Sequence, residues 1–279
     1  MKFKTIFILF NIIIAISFLF IFFMPVFILG SAYGLSFWGK NWPLALFFVG
    51  ILAVFNAFFI SNWKVFTLIE AENWEELSKI LSIRLFEKKQ FSRRNVRLFV
   101  NASLLRSDSE AIKRLENTLQ AEKPALLCRE ATLFGTAWLL RNDPAGAEQF
   151  LTPWLDNKNV DNRDWLNFYY AFSLILQKRA LEATSRLEAL LNKPDRVLAL
   201  LAAYLYGSLC VIAAPEVDRE HMRLKAEARR QDLAKAFTPE RWSRETERAK
   251  GEVHVVVLSK LIDEAGTWMF KAAKTEAAG

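Results

Sequence analysis

Glu110–Leu119 reads EAIKRLENTL, and seventy-two residues later Glu182–Leu191 reads EATSRLEALL. Six of the ten positions are identical. Ala147 stands midway between Ala111 and Ala183, so alanine returns every thirty-six residues. Leu115, Leu151 and Leu187 follow these alanines by four; Leu119, Leu155 and Leu191 follow by eight. Positions i, i+4 and i+8 share one helix face. A unit of this size cannot bury that face alone, so the chain is restricted to an array in which each unit stacks on the next.

A second register has the same period. Gly135, Ala171 and Gly207 are thirty-six apart, and each is preceded by an aromatic residue, Phe134, Tyr170 or Tyr206. Small residues let two helices approach closely, where a larger side chain costs roughly 1–3 kcal/mol. The offset from this register to the alanine register is twelve residues. The pattern resembles the tetratricopeptide repeat, in which a small residue of the first helix is followed twelve positions later by an alanine of the second. Pro124 and Pro194 stand about where that family closes its units, and the resemblance covers roughly Glu70 to Ala214. Three features depart from it: the longer period, the missing early tryptophan, and Phe99 where the first unit needs a small residue. The resemblance implies a superhelix of antiparallel helix pairs with a concave groove.

Local signals agree with short helices. Asn73, with Glu76 three residues on, reads as a capping box. Asp108, the run Asn142-Asp143-Pro144, and Asp161 read as further helix starts. Beyond Pro215 the period stops, with Arg219 where the next alanine would fall. Glu216–Phe237 reads as one charged helix, and a second is expected from Pro239 towards Lys274. Within it VHVVVL (Val253–Leu258) is read as helix, with Val253, Val257, Leu261 and Trp268 on one face. The closing TEAAG is expected to fray.

Hydrophobic residues make up 53% of the 279, and they crowd the N-terminus. Thr5–Leu29 carries no charge; as a helix it spans about 37 Å, enough for a bilayer core of about 30 Å. Gly30–Pro43 reads as a turn with interfacial aromatics, and Leu44–Ile60 as a second span. A signal peptide cleaved near Ser31-Ala32 is the competing reading, but the apolar run exceeds the usual h-region of about 7–15 residues. Asn11 and Asn56 are expected to hydrogen-bond across the helix pair. Lys2 and Lys4 precede the first span, Lys64 and Lys79 follow the second, and the turn has Lys40 alone. The positive-inside rule then puts both termini in the cytoplasm of a bacterial cell, with the protein in its inner membrane. The expected organisation is an all-α chain: a transmembrane hairpin over 1–63, tetratricopeptide-like repeats over 64–214, and charged helices over 215–279 capping the solenoid.

Formal net charge is +7. Arg84, Lys88, Lys89, Arg93, Arg94 and Arg97 form one basic cluster, and Arg219–Lys250 a second. Neither interleaves aromatics and glycines as a nucleic-acid platform does, so nucleic acid is not an expected partner; anionic lipid is the alternative one. His221 and His254 stand apart from any ligand-spaced neighbour, and Cys128 and Cys210 lie in apolar runs that read as core. No phosphate loop or nucleophile motif occurs. The expectation is therefore not an enzyme, with no cofactor and no metal, but a membrane-anchored scaffold binding a protein partner. Arg129, Arg141, Asn167, Tyr169 and Tyr204, on the first helices and outside the repeat registers, are the candidate partner-binding residues. The alternative is a lipid-surface module in which the basic cluster grips the membrane and the repeats are structural.

Overall fold

A computed structural model describes residues 3–250, 255 and 258–271. Among the described residues every regular element is helical. The chain divides into two compact units, residues 1–88 and 89–279.

The first unit contains α1 (Phe3–Leu29), α2 (Ser31–Ser61), α3 (Trp63–Glu70) and α4 (Trp74–Ser82), the last running on through a π-helical turn at Ile83–Glu87. The reversal between α1 and α2 is far tighter than the turn expected over Gly30–Pro43. It is made at Gly30, whose φ of +85° suits glycine, and helix resumes at Ser31. The stretch stays helical because its apolar residues pack back along α1. A Cβ on Gly34 would meet Val26 Cγ2 at 2.4 Å. Trp38 stacks on Phe22 at 4.4 Å, and its indole N–H donates to the Phe22 carbonyl in the turn before Pro25 (2.8 Å). A break follows at Asn41, just before Pro43. The antiparallel run continues through Phe18–Phe48, Phe10–Phe55 and Phe7–Phe59.

Asn11 and Asn56 do not bridge the helices. Each donates to a carbonyl one turn back in its own helix, Phe7 and Leu52, which satisfies the amide locally. Most of the large apolar side chains of α1 and α2 are exposed, Phe27 at 82% and Val54 at 73% among them. Lys4–Ile28 and Ser36–Ser61 are long and apolar enough to cross a membrane.

The second unit is a succession of helix pairs. α5 (Arg93–Leu105) precedes α6 (Ser109–Glu122). α7 (Pro124–Arg129) leads into α8 (Ala131–Leu140), which pairs with α9 (Pro144–Leu151). α10 (Arg163–Leu176) pairs with α11 (Ala180–Leu190). α12 (Arg196–Leu205) continues through a π-helical turn at Tyr206–Cys210 into α13 (Val211–Ala213), and α14 (Glu216–Ala236) returns along it. The first helices touch in chain order, α5 to α8 to α10 to α12, and each second helix touches the first helix of the next pair. α15 (Pro239–Lys250) and α16 (Ser259–Lys271) pack on α12 with α14.

Both sequence registers are used for packing. Ala147 and Ala183 are fully buried, as are Leu115, Leu119, Leu151 and Leu187, and Gly135 and Ala171 are buried too. A Cβ on Gly135 would lie 2.4 Å from Leu151 Cδ2, and one on Gly207 2.7 Å from the Cβ of Ala226. One apolar cluster runs from Cys128 to Met269, so the C-terminal helices share a core with the repeats. Both cysteines are free and buried, and the Cys210 thiol donates to the Ala180 carbonyl. Arg196–Ala213 is apolar enough for a membrane span, but most of it lies inside this core.

Caps close the helices. Asn73, Asp108 and Asp143 accept from Glu76, Ala111 and Gly146 backbone N–H groups, as their sequence context predicts; Ser92 and Asp195 do the same for α5 and α12. Asp161 does not cap: α10 starts at Arg163 after Asn162 (φ 55°), and the Asp161 carboxylate is drawn to arginines instead. The helix expected from Pro239 towards Lys274 is described as two, α15 and α16. Of VHVVVL only Val255, helical, and Leu258 are described; Val253, His254, Val257 and TEAAG lie outside the described residues.

Candidate functional site

The turns inside the helix pairs have one geometry. α5, α8 and α10 each end on a left-handed residue: Ser107 (φ 56°), Asn142 (57°) and Lys178 (65°). The residue after each donates its N–H five positions back, Asp108 to Ser103, Asp143 to Trp138, Arg179 to Leu174. The left-handed residue itself donates to the carbonyl three back. These are Schellman turns, which satisfy helix-end carbonyls that would otherwise lack partners.

Two residues before each left-handed position stands a leucine in solvent. Leu105 is 56% exposed, Leu140 48% and Leu176 47%. Ile212, thirty-six residues beyond Leu176, is 72% exposed at the end of α13. On the other side of the turns, Leu181 and Val217 (53% and 90% exposed) occupy the second position of α11 and α14, again thirty-six apart. Exposed apolar residues thus recur through the second unit in step with its helix pairs, a sequence row at or within one residue of the repeat period. Isolated exposed leucines are ordinary; a row of them at the repeat period is a patch of the kind that marks interfaces.

Nearby charges are internally balanced. Arg106 pairs with Asp108 (3.8 Å), Arg141 with Glu110 (3.6 Å), and Arg179 with Glu148 and Glu182 (2.7 and 2.6 Å). The exposed positions themselves are apolar rather than charged.

The residues expected to bind a partner do not converge. Tyr169 is fully buried among Trp165 and Phe168, so it is a core residue and not a surface one. Tyr204 is half-buried against Trp268, whose ring centre lies 5.7 Å away. Asn167 accepts from Arg186 (3.0 Å) and donates to the Arg163 carbonyl. Arg141 lies over the Trp138 ring (5.0 Å), and Arg129 is exposed.

The basic cluster is largely committed to structure. Glu130, at 2% exposure, receives Arg93 Nε at 2.5 Å and Arg97 Nε at 2.6 Å. Both arginines also pair with Asp161. The Asp161 backbone is pinned in turn by Arg129 O and Thr132 Oγ1. Two guanidiniums thus balance two carboxylates, one of them buried. Lys89 pairs with Glu122, and Arg84 donates to Asn62 Oδ1 and the Ser61 carbonyl, at the C-terminus of α2. Arg94 is half-buried and Lys88 exposed. Sequence reasoning counted these charges but not their acidic partners, which lie more than thirty residues away. It also missed the apolar row, although Leu140, Leu176 and Ile212 repeat with the same period as the alanines.

Among the described residues no group of three or more histidine, cysteine or acidic side chains is placed to hold a metal ion. A protein of Treponema pallidum (strain Nichols), named only as an uncharacterized protein, is 27% identical over 246 residues, which is 86% of this chain and 76% of the relative. No solved structure matches the chain. A family model described as "Uncharacterised Treponema protein" matches residues 111–271, from α6 to α16. That match takes in more than half of the chain, and the chain belongs to this family.

Proposed function

We propose that the protein is a membrane-anchored helical-repeat scaffold that docks a protein partner at the cytoplasmic face of a bacterial inner membrane. In this reading α1 and α2 cross the bilayer as a hairpin with both termini in the cytoplasm, because lysines flank the pair and the turn side carries Lys40 alone. The helix pairs of the second unit form a solenoid of tetratricopeptide-like type. The observation that carries the docking role is the solvent-exposed set Leu105, Leu140 and Leu176, placed by three turns of one geometry, with Ile212 thirty-six residues further on. A partner helix or strap with an apolar face fits such a row, which repeats one contact along its length.

The test is affinity purification of the full chain from its native membrane in mild detergent, beside a variant carrying Leu140→Glu, Leu176→Glu and Ile212→Glu. These sites are exposed, so the fold should survive, and a thermal melt checks that. A stoichiometric partner recovered with the wild type and lost from the folded variant supports the reading. The same partner set on both proteins, or none on either, refutes it.

A further inference from the structure

Several arginines of the second unit are committed to acids. Arg93 and Arg97 hold Glu130, Arg179 holds Glu148, and Arg230 holds Glu227. Three others line one cleft of about 420 Å³ between the start of α12 and α15. Arg196 comes from the first turn of α12; Arg241 and Arg248 come from α15. Among the described residues none of the three has a carboxylate within the 4.0 Å of an ion pair. Arg196 and Arg241 both lie over the Phe237 ring, at 5.3 and 5.8 Å from its centre, and Arg241 also donates to the Ala236 carbonyl. Two like charges are therefore gathered on one aromatic ring with no acid set between them.

Two carboxylates also line the cleft. Asp195 is already engaged: one oxygen accepts from Leu198 N–H as the cap of α12, the other from the Trp165 indole at 2.9 Å. Glu245, one turn along α15 from Arg241, is the opposing charge. The N-terminus of α12 opens here as well, and its dipole adds to the positive field.

We infer that the cleft lined by Arg196, Arg241 and Arg248 binds a phosphate group. Guanidinium forks match phosphate oxygens bidentately, and three arginines against the Asp195 and Glu245 carboxylates leave the cleft a net positive charge. The cleft is of the size of a small-ligand pocket, so the phosphate belongs to a phosphorylated metabolite or to the head group of an anionic lipid. The chemistry is shared; the source is not fixed by it.

The experiment uses the full chain in micelles of a neutral detergent at low salt. Calorimetric titration with inorganic pyrophosphate probes the free anion, and doping the micelles with phosphatidylglycerol probes the head group, with phosphatidylcholine as control. Saturable binding of either probe is expected. Arg196→Gln and Arg248→Gln should each weaken it roughly tenfold or more. Glu245→Gln should tighten it, an effect that a folding defect does not produce. Binding of pyrophosphate assigns a soluble ligand; binding of phosphatidylglycerol alone assigns a lipid head group. The inference is overturned if neither probe saturates, or if binding is unchanged in Arg248→Gln and Glu245→Gln. Should Arg196→Gln unfold, those two substitutions on the exposed side of α15 decide the matter.

Discussion

Gly207→Ala adds one methyl group at the tightest crossing between α14 and the π-helical turn. The new Cβ would lie 2.7 Å from the Cβ of Ala226, whereas ordinary contact begins near 3.4 Å. A Cβ is fixed to its backbone and cannot rotate away, so the two helices must part by about 0.7 Å or bend. Glycine to alanine inside a helix should itself gain about 1 kcal/mol. Overpacking of a filled core costs about 1–3 kcal/mol. The net expectation is a loss of about 0–2 kcal/mol, which for a unit of this size lowers the melting temperature by at most roughly 4–8 °C. The assay is urea denaturation of the full chain in neutral micelles, followed by far-UV circular dichroism. Ala226→Gly in the same chain should relieve the clash, giving a coupling energy of about 1–3 kcal/mol in the double-mutant cycle. If Gly207→Ala is as stable as wild type or more so, and the cycle shows no coupling, the packing role assigned to the small-residue register is wrong.

Lys178 holds φ at 65° in a Schellman turn, where glycine is free of the Cβ penalty. Lys178→Gly should therefore stabilise the second unit by about 0.5–1 kcal/mol in the same assay, and a loss would show that the turn is not left-handed. The Arg230 guanidinium, with help from Gln231, holds the Glu227 carboxyl below its usual range. A carboxyl depressed on folding adds stability above its unfolded pKa, near pH 4.5, and that stability drains away as pH falls through the lower folded value. Glu227→Gln should flatten the acid limb of a pH–stability curve; an unaltered limb would remove this pair from the account.

The repeat was legible because packing writes it twice. A face that must fit its neighbour at every crossing keeps its small residues and its leucines in step, and most of those residues are buried. Capping was legible wherever the capping residue is followed by a helix in its own frame, as at Asp108 and Asp143. At Asp161 the signal misled, because a carboxylate near two arginines gains more from them than from a helix end. The turn at Gly30 was overestimated for a related reason. Glycine, tryptophan and proline are loop residues by composition, yet Gly34 and Trp38 serve contact with α1. Tyr169 shows the limit on the site: a tyrosine on a first helix looks the same in sequence whether its ring points to a groove or to a core. The charge pairs of Arg93 and Arg97 lie in no local pattern at all.

The burial of Arg196–Ala213 bears on how the chain is made. By length and composition this segment could also cross a bilayer, though it is shorter and less apolar than the N-terminal helices, and it emerges from the ribosome before the helices that cover it. Until α14 arrives, only the preceding repeat shields its apolar sides. α14 follows at once, carries acidic and basic residues along its whole length, and reaches α16 through the Arg230 bond to the Met269 carbonyl. The charged helix that follows covers this apolar segment in the folded chain. A chain that stopped near residue 215 would leave this segment without α14, α15 and α16 to fold over it.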